Sequence, residues 1–259
     1  MLASLLAPHI TGRYSLTFLP VALPEVYIRT LLPTDWAERD DLFLTIEELG
    51  ADVPDAGEGR RWVCIEAGEQ IDTGVGGLPG GKRTFFEAKL EVPFLRHPNR
   101  SATPLTFKHT MLFSSRMMAL SSQHLTGLRS HRVAFDRSET LYDVAGFLSI
   151  QEDGDAPTAG EGWSEQAARR VLTCWWVGEN TGGAATKFTM TSLAQPRPRP
   201  SLQLRLNLAA FAQLSPSNTQ KVLSGSSIEL DAEGWATFSV PGVAFDESTR
   251  MEAAALDSL

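Results

Sequence analysis

The sequence predicts one domain that is mainly β, a β-rich α+β chain with a few short helices. Three observations carry this. Apolar and polar side chains alternate with period two in several segments. Strands do not alternate with long helices, which argues against a doubly wound parallel fold. Turn residues recur throughout, with 21 Gly and 15 Pro in 259 residues. No repeat of 20–50 residues is visible, and the whole chain, 1–259, reads as a single, mostly antiparallel domain.

Taken in order, Arg13 to Leu19 reads as a strand. Pro24 opens a short helix from Glu25 to Leu32, because proline's fixed φ suits a first helical position, and Pro33 ends it. Leu42 to Glu48 and Arg61 to Glu66 read as strands. Gly74 to Lys82 is glycine-rich. Thr84 to Phe94 alternates cleanly: Phe86, Ala88, Leu90, Val92 and Phe94 on one face, Glu87, Lys89 and Glu91 on the other. Phe107 to Phe113 is a further strand. Ser115 to Leu125 has helical spacing, with Met117, Leu120, Ser121 and His124 on one side. Arg132 to Phe135 and Leu141 to Ile150 return to strand character. Asp153 to Trp163 reads as an exposed loop and Val171 to Val177 as a buried strand. Pro196, Pro198 and Pro200 make a stiff loop. Leu202, Leu204, Leu206 and Leu208 alternate with polar residues, and Ser226 to Leu230 and Ala236 to Val240 follow as strands. The polar, acidic residues from about Asp246 are expected to fray. This gives about ten strands and two short helices.

Composition limits the partners. The formal net charge is −8 and the isoelectric point about 5.2, and no run of five basic residues exists, so nucleic acid is not expected as a partner. No apolar stretch approaches the roughly 20 residues of a membrane span. Met1 to Ala7 is too short for a secretory apolar region and lacks a basic start, so a cytoplasmic location is expected. Cys64 and Cys174 lack metal-type spacing and read as buried thiols in a reducing compartment.

The motifs exclude several chemistries. Gly76 to Lys82 nearly fits a phosphate loop, but Arg83 stands where Ser or Thr would hold magnesium, and a strand follows instead of a helix. No His-x-x-x-His, Cys-x-x-Cys or paired Asp suggests a metal, and no Gly-x-Ser-x-Gly elbow is present. No cofactor is expected. Two segments remain. The face of Glu87, Lys89 and Glu91 is either a solvated sheet face or a cavity wall with Glu87 as general acid or base. The segment Gln123-His124-Leu125-Thr126-Gly127-Leu128-Arg129-Ser130-His131-Arg132 is either an exposed turn or a loop that meets a carboxylate or enolate.

In this order the two segments resemble the acetoacetate decarboxylase superfamily. Arg13-Tyr14-Ser15-Leu16-Thr17-Phe18, with the later Leu31-Leu32-Pro33, is similar to the family's opening strand and helix. Phe85-Phe86-Glu87-Ala88-Lys89-Leu90-Glu91-Val92-Pro93 is similar to its glutamate strand. Met111 to Gly127 is similar to its helix, and Gly127-Leu128-Arg129-Ser130-His131 falls where the family carries an adjacent lysine pair. The resemblance spans roughly Arg13 to Val243. It implies a cone or barrel of antiparallel strands with an internal apolar pocket, often assembled into homo-oligomers. Family decarboxylases form a Schiff base through one lysine of that pair. Here Ser130 and His131, or His131 and Arg132, stand at the pair, and neither choice offers a primary amine. Gln123-His124 replaces the family's Arg-Glu. The strand glutamate carries over as Glu87.

The expectation is therefore an enzyme of the lyase, isomerase or cyclase kind, acting on a carbonyl-containing, polyketide-like small molecule without an imine. Glu87, His131 and His124 are the expected catalytic groups. Arg129, Arg132, Ser130, Lys89, Gln123 and Arg116 are the expected substrate-binding groups. Trp175, Trp176, Phe85 and Phe86 are either pocket lining or plain core. Two alternatives stand beside it: a non-catalytic binding protein with the same pocket, and a β-keto acid decarboxylase using Lys89 or Lys108 from another strand.

Overall fold

A computed structural model describes residues 10–75, 81–97, 100–137, 141–153, 163–179, 184–214 and 228–255. Twelve strands are present: β1 Ile10–Pro24, β2 Arg60–Val75, β3 Lys82–His97, β4 Arg100–Phe113, β5 Ser130–Arg132, β6 Phe135–Arg137, β7 Leu141–Val144, β8 Leu148–Glu152, β9 Trp175–Val177, β10 Ala184–Ser192, β11 Arg197–Asn207 and β12 Trp235–Ala255. Among the described residues six short helices accompany them: α1 Glu25–Thr30, α2 Thr34–Ala37, α3 Ile46–Leu49, α4 Arg116–Thr126, α5 Glu165–Leu172 and α6 Leu208–Gln213. The chain is thus mostly strands with few short helices, and none of the described helices is long and apolar enough to cross a membrane.

Seven strands close a barrel in the order β1-β2-β3-β4-β9-β10-β12, with β12 returning to β1. All of these pairings are antiparallel except β4 with β9. Closure removes the free edges that an open sheet would expose. It also decides where each side chain goes, because successive residues of a strand face opposite sides. Glu66 is in register with Phe18 and Lys89, and Gln70 with Tyr14 and Phe85, so these side chains share the inner wall.

From β12 the sheet continues through β11, β8, β7 and β6 as an outer layer. The main apolar core lies between this layer and the outer face of β1–β4. It includes Val21, Ile65, Leu90 and Phe107 from the barrel strands, Ile150 and Leu204 from the outer layer, and Tyr27 and Phe211 from the helices. A second cluster, with Tyr14, Phe18, Phe94, Trp163 and Val171, packs α5 against the barrel. A third, with Phe85, Met111, Phe113, Ala119 and Trp176, packs α4 against it.

Several sequence expectations change. Leu42 to Glu48 is not a strand: Thr45 and Glu48 form a reciprocal capping box that starts α3, and only Phe43 bridges to Leu95. The stretch from Val171 splits, because Ser164 caps a helix that runs to Leu172 before β9 begins. The Pro-rich loop belongs to β11 from Arg197. β8 reaches β11 only from Leu202 onward, so at Pro198 β11 is an edge strand paired with β12 alone, where proline is tolerated. The acidic tail does not fray: β12 runs to Ala255, held by β1 and β10. Leu141 to Ile150 is a hairpin that turns at Gly146, whose φ is +80°. Met117 and Leu120 of the helix face solvent, while Ala119 packs inward. Cys64 is buried but Cys174 only partly so, and both are free thiols. Residues 154–162 and 226–227, and most of the glycine-rich loop, lie outside the described residues.

Gly68 shows how tight the wall is. A Cβ there would lie 2.3 Å from the Ser15 carbonyl oxygen and 2.7 Å from the Leu16 Cα, both backbone atoms. Gly68→Ala is expected to cost about 2 kcal/mol, the overpacking range, as a lowered urea midpoint at unchanged slope. An unchanged midpoint would mean that β1 and β2 yield at no cost.

Candidate functional site inside the barrel

The alternation in β3 buries both of its faces. Ala88, Leu90 and Val92 enter the main core, while Glu87, Lys89 and Glu91 point into the barrel and are at most 2% exposed. A solvated face is therefore ruled out. β2 contributes Glu66 and Gln70 to the same interior, and β4 contributes Lys108.

These groups form one buried network. Lys89 Nζ lies 2.7 Å from Glu66 Oε2 and 2.9 Å from Glu87 Oε1. Gln70 Nε2 donates to Glu87 Oε1 at 3.0 Å, and Thr73 Oγ1 donates to Gln70 Oε1 at 2.8 Å. Lys108 Nζ lies 2.6 Å from Glu91 Oε1. Aromatic faces support both ammoniums: Lys89 sits 4.6 Å from the Tyr14 ring centroid, and Lys108 4.7 Å from that of Trp176. The Trp176 indole N–H is buried without a hydrogen-bond partner among the described residues. A buried orphan donor of this kind marks a place that an outside polar group can satisfy.

The charges do not balance if every group ionises, since three carboxylates face two ammoniums. Burial pushes the Glu91 carboxyl up, the charge of Glu66 adds to this, and the two lysines offset it only in part, leaving it at about 7. Glu66 is driven up by burial too, but Lys89 and Lys108 reverse the sign and hold it below its ordinary range. Burial alone would lower the Lys89 ammonium; Glu66, Glu87 and Glu91 more than reverse that and hold it above the ordinary lysine range. The network thus contains a carboxyl that carries its proton near neutrality, a carboxylate beside it and a fixed cation.

The other predicted side chains lie elsewhere. β5 pairs with β4 in parallel, and His131 is in register with Leu112, which faces Ala88. His131 therefore points to the outer face of the wall that carries Glu87 on its inner face, so the expected Glu87–His131 pair is not brought together. His131 lies near Arg129 and His109, and burial followed by Arg129 lowers its pKa. Arg129 is engaged by Glu179 and by the Leu214 carbonyl. Ser130 is buried, on the side of Met111, but its Oγ donates to Ser122 Oγ at 2.9 Å. Gln123 Nε2 donates to the Ser130 carbonyl at 2.6 Å, a brace for the turn after α4. Arg116, His124 and Arg132 are exposed. Of the predicted set, Glu87 and Lys89 are brought together. Among the described residues no group of His, Cys, Asp and Glu side chains is arranged to hold a metal.

No protein-family profile matches the sequence, and no curated protein does. Solved structures are similar in overall trace. An acetoacetate decarboxylase from Legionella pneumophila is 14% identical with a TM-score of 0.49, covering 95% of this chain and 89% of that one. The enduracididine biosynthesis enzyme MppR complexed with pyruvate is 11% identical with a TM-score of 0.47, covering 95% and 90%. An acetoacetate decarboxylase-like enzyme from Sphingomonas wittichii is 11% identical with a TM-score of 0.43, covering 96% and 93%.

Proposed function

We propose that the barrel interior is the reaction site of an enzyme that moves a proton α to the carbonyl of a small molecule, by acid–base catalysis and without an imine at the position of Ser130. The observation that carries this reading is the buried chain Gln70–Glu87–Lys89–Glu66, with Glu91 and Lys108 beside it. Glu87 takes the α-proton. The ammonium of Lys89 faces the enolate oxygen as charge develops there, where a fixed cation in a dry interior acts most strongly. Glu91 supplies a proton from its acid form. Dehydration, isomerisation and cyclisation of a polyketide-like substrate all share this step. Pyruvate, named in the structure of MppR, is a convenient small keto acid with which to look for it.

The test is deuterium incorporation at the methyl group of pyruvate and at the α-carbon of acetoacetate in D2O, followed by proton NMR. The full-length protein is expected to accelerate exchange, and Glu87→Gln to slow it by about a hundredfold or more. Equal exchange by protein and variant would remove Glu87 from the mechanism. The absence of exchange would leave the barrel as a binding site.

A second reading keeps a Schiff base on a relocated lysine. It is favoured by the burial of Lys108 in the same interior as Lys89, with Glu91 between them in charge. Lys89 itself is held as an ammonium and is a poor nucleophile. Borohydride reduction in the presence of acetoacetate separates the readings: a covalent adduct at Lys108 establishes the imine, and an unmodified protein that still exchanges deuterium establishes the enolate route.

A further inference from the structure

A wide open space beside the described residues lies outside the barrel. It is a cleft of about 500 Å³ where the outer strand layer splays away from the β1–β2 wall. Its two walls differ in kind. The barrel side presents the small side chains Ser15, Thr17, Ala67 and Ala244, together with Leu16, Gly68 and Phe245. The outer layer presents Arg137, Arg197 and Arg199. Three arginines thus line one concavity on a chain whose formal net charge is −8.

The local charges do not cancel. Arg199 Nη1 lies 2.7 Å from Glu152 Oε1, and Arg137 Nη1 lies 3.3 Å from Glu69 Oε2. Two carboxylates therefore face three guanidiniums, and Arg197 is exposed at the mouth. The floor is rigid. The Tyr142 hydroxyl lies 3.0 Å from both the Gly68 and the Glu87 carbonyl oxygens, tying the outer layer to the barrel wall at the end of the cleft. A planar guanidinium fork matches the oxygens of a carboxylate or a phosphate, and a concave site with fixed polar groups is what binds a small ligand.

We propose that this cleft binds a small anion through Arg137, Arg197 and Arg199, the shared chemistry being a carboxylate or phosphate group. The site is separate from the barrel interior, because Ser15, Thr17 and Ala67 face outward on the strands whose neighbouring residues face inward.

The experiment is calorimetric titration of the full-length protein with citrate and, separately, with inorganic phosphate, at low ionic strength and low chloride. Saturable one-to-one binding of at least one probe is expected. Citrate alone assigns a carboxylate ligand, phosphate alone an oxyanion of phosphate, and either result upholds the site. Arg197→Ala/Arg199→Ala should weaken binding by about a hundredfold, near tenfold for each guanidinium removed. Both arginines are solvent-accessible, so the fold should survive their loss, and Arg137→Gln gives an independent reading from another strand. Glu87→Gln should leave binding unchanged, and the double arginine variant should keep its deuterium exchange, so the two sites stand or fall separately. No saturable binding of either probe, or binding retained by the double variant, overturns the proposal.

Discussion

Lys89→Met is expected to destabilise the protein by about 3–5 kcal/mol, the range for breaking a buried ion pair from one side. The side chain is fully buried, and its ammonium is the shared counter-charge of Glu66 and Glu87. Methionine has nearly the same volume, so little of the loss comes from packing. What remains is two carboxylates in a closed barrel without their cation. The pKa of Lys89 is raised in the folded protein. Its contribution is therefore fully present below the unfolded lysine value and is lost only as pH rises through the higher folded value. The loss on substitution should be largest at alkaline pH and shrink as pH falls toward 5, because protonation relieves the carboxylates left without a cation. Urea unfolding measures it, and adding Glu66→Gln and Glu87→Gln to Lys89→Met should recover most of it. A loss of 1 kcal/mol or less in Lys89→Met would mean that water reaches the network.

The second large effect is a change in the shape of the stability–pH curve. Glu91 has a folded value of about 7 against an ordinary 4.5. Its stabilisation is fully present below 4.5 and is lost as pH rises to about 7. His109 runs the other way. Burial, then Arg129 and His131, lower it from 6.5 to about 3, so its contribution is present above 6.5 and is lost as pH falls. His131, lowered by burial and Arg129, adds in the same direction. Glu66 is lowered as well, and its window lies below 4.5. Between pH 4.5 and 6.5 the contribution of Glu91 opposes those of His109 and His131, and the wild-type curve should rise only shallowly. Glu91→Gln mimics the protonated carboxyl and removes the opposing contribution. Its stability should then rise with pH by about 1.4 kcal/mol per unit, on the order of 3 kcal/mol across the window. Equal slopes in wild type and variant would mean that Glu91 titrates as an ordinary glutamate.

How much of this was legible in the sequence depends on distance along the chain. The alternation of Thr84 to Phe94 identified the strand and put Glu87, Lys89 and Glu91 on one face, because period two is a property of a single strand. It did not say that this face would be buried, since that follows from β12 returning to β1 across more than 200 residues. Glu66 and Gln70 were overlooked for the same reason: they join the site only through the register of β2 against β3. A signal was present in Cys64, Glu66, Gly68 and Gln70, which share a face of a strand whose alternate residues Val63, Ile65 and Ala67 are apolar. His131 was misjudged by parity, because one residue along a strand is one face of the sheet. Leu42 to Glu48 misled because its apolar residues outweighed the Thr45–Glu48 capping box.

The most direct test is carbon-13 NMR of the side-chain carboxyl groups in protein labelled at glutamate, titrated from pH 4 to 9 and compared with Glu91→Gln. A closed barrel with more carboxylates than ammoniums inside predicts that one carboxyl titrates well above the ordinary glutamate range and that its signal vanishes in the variant. If every glutamate titrates below about pH 5, the barrel does not hold a proton-bearing network, and the acid–base chemistry proposed for it has no proton to move.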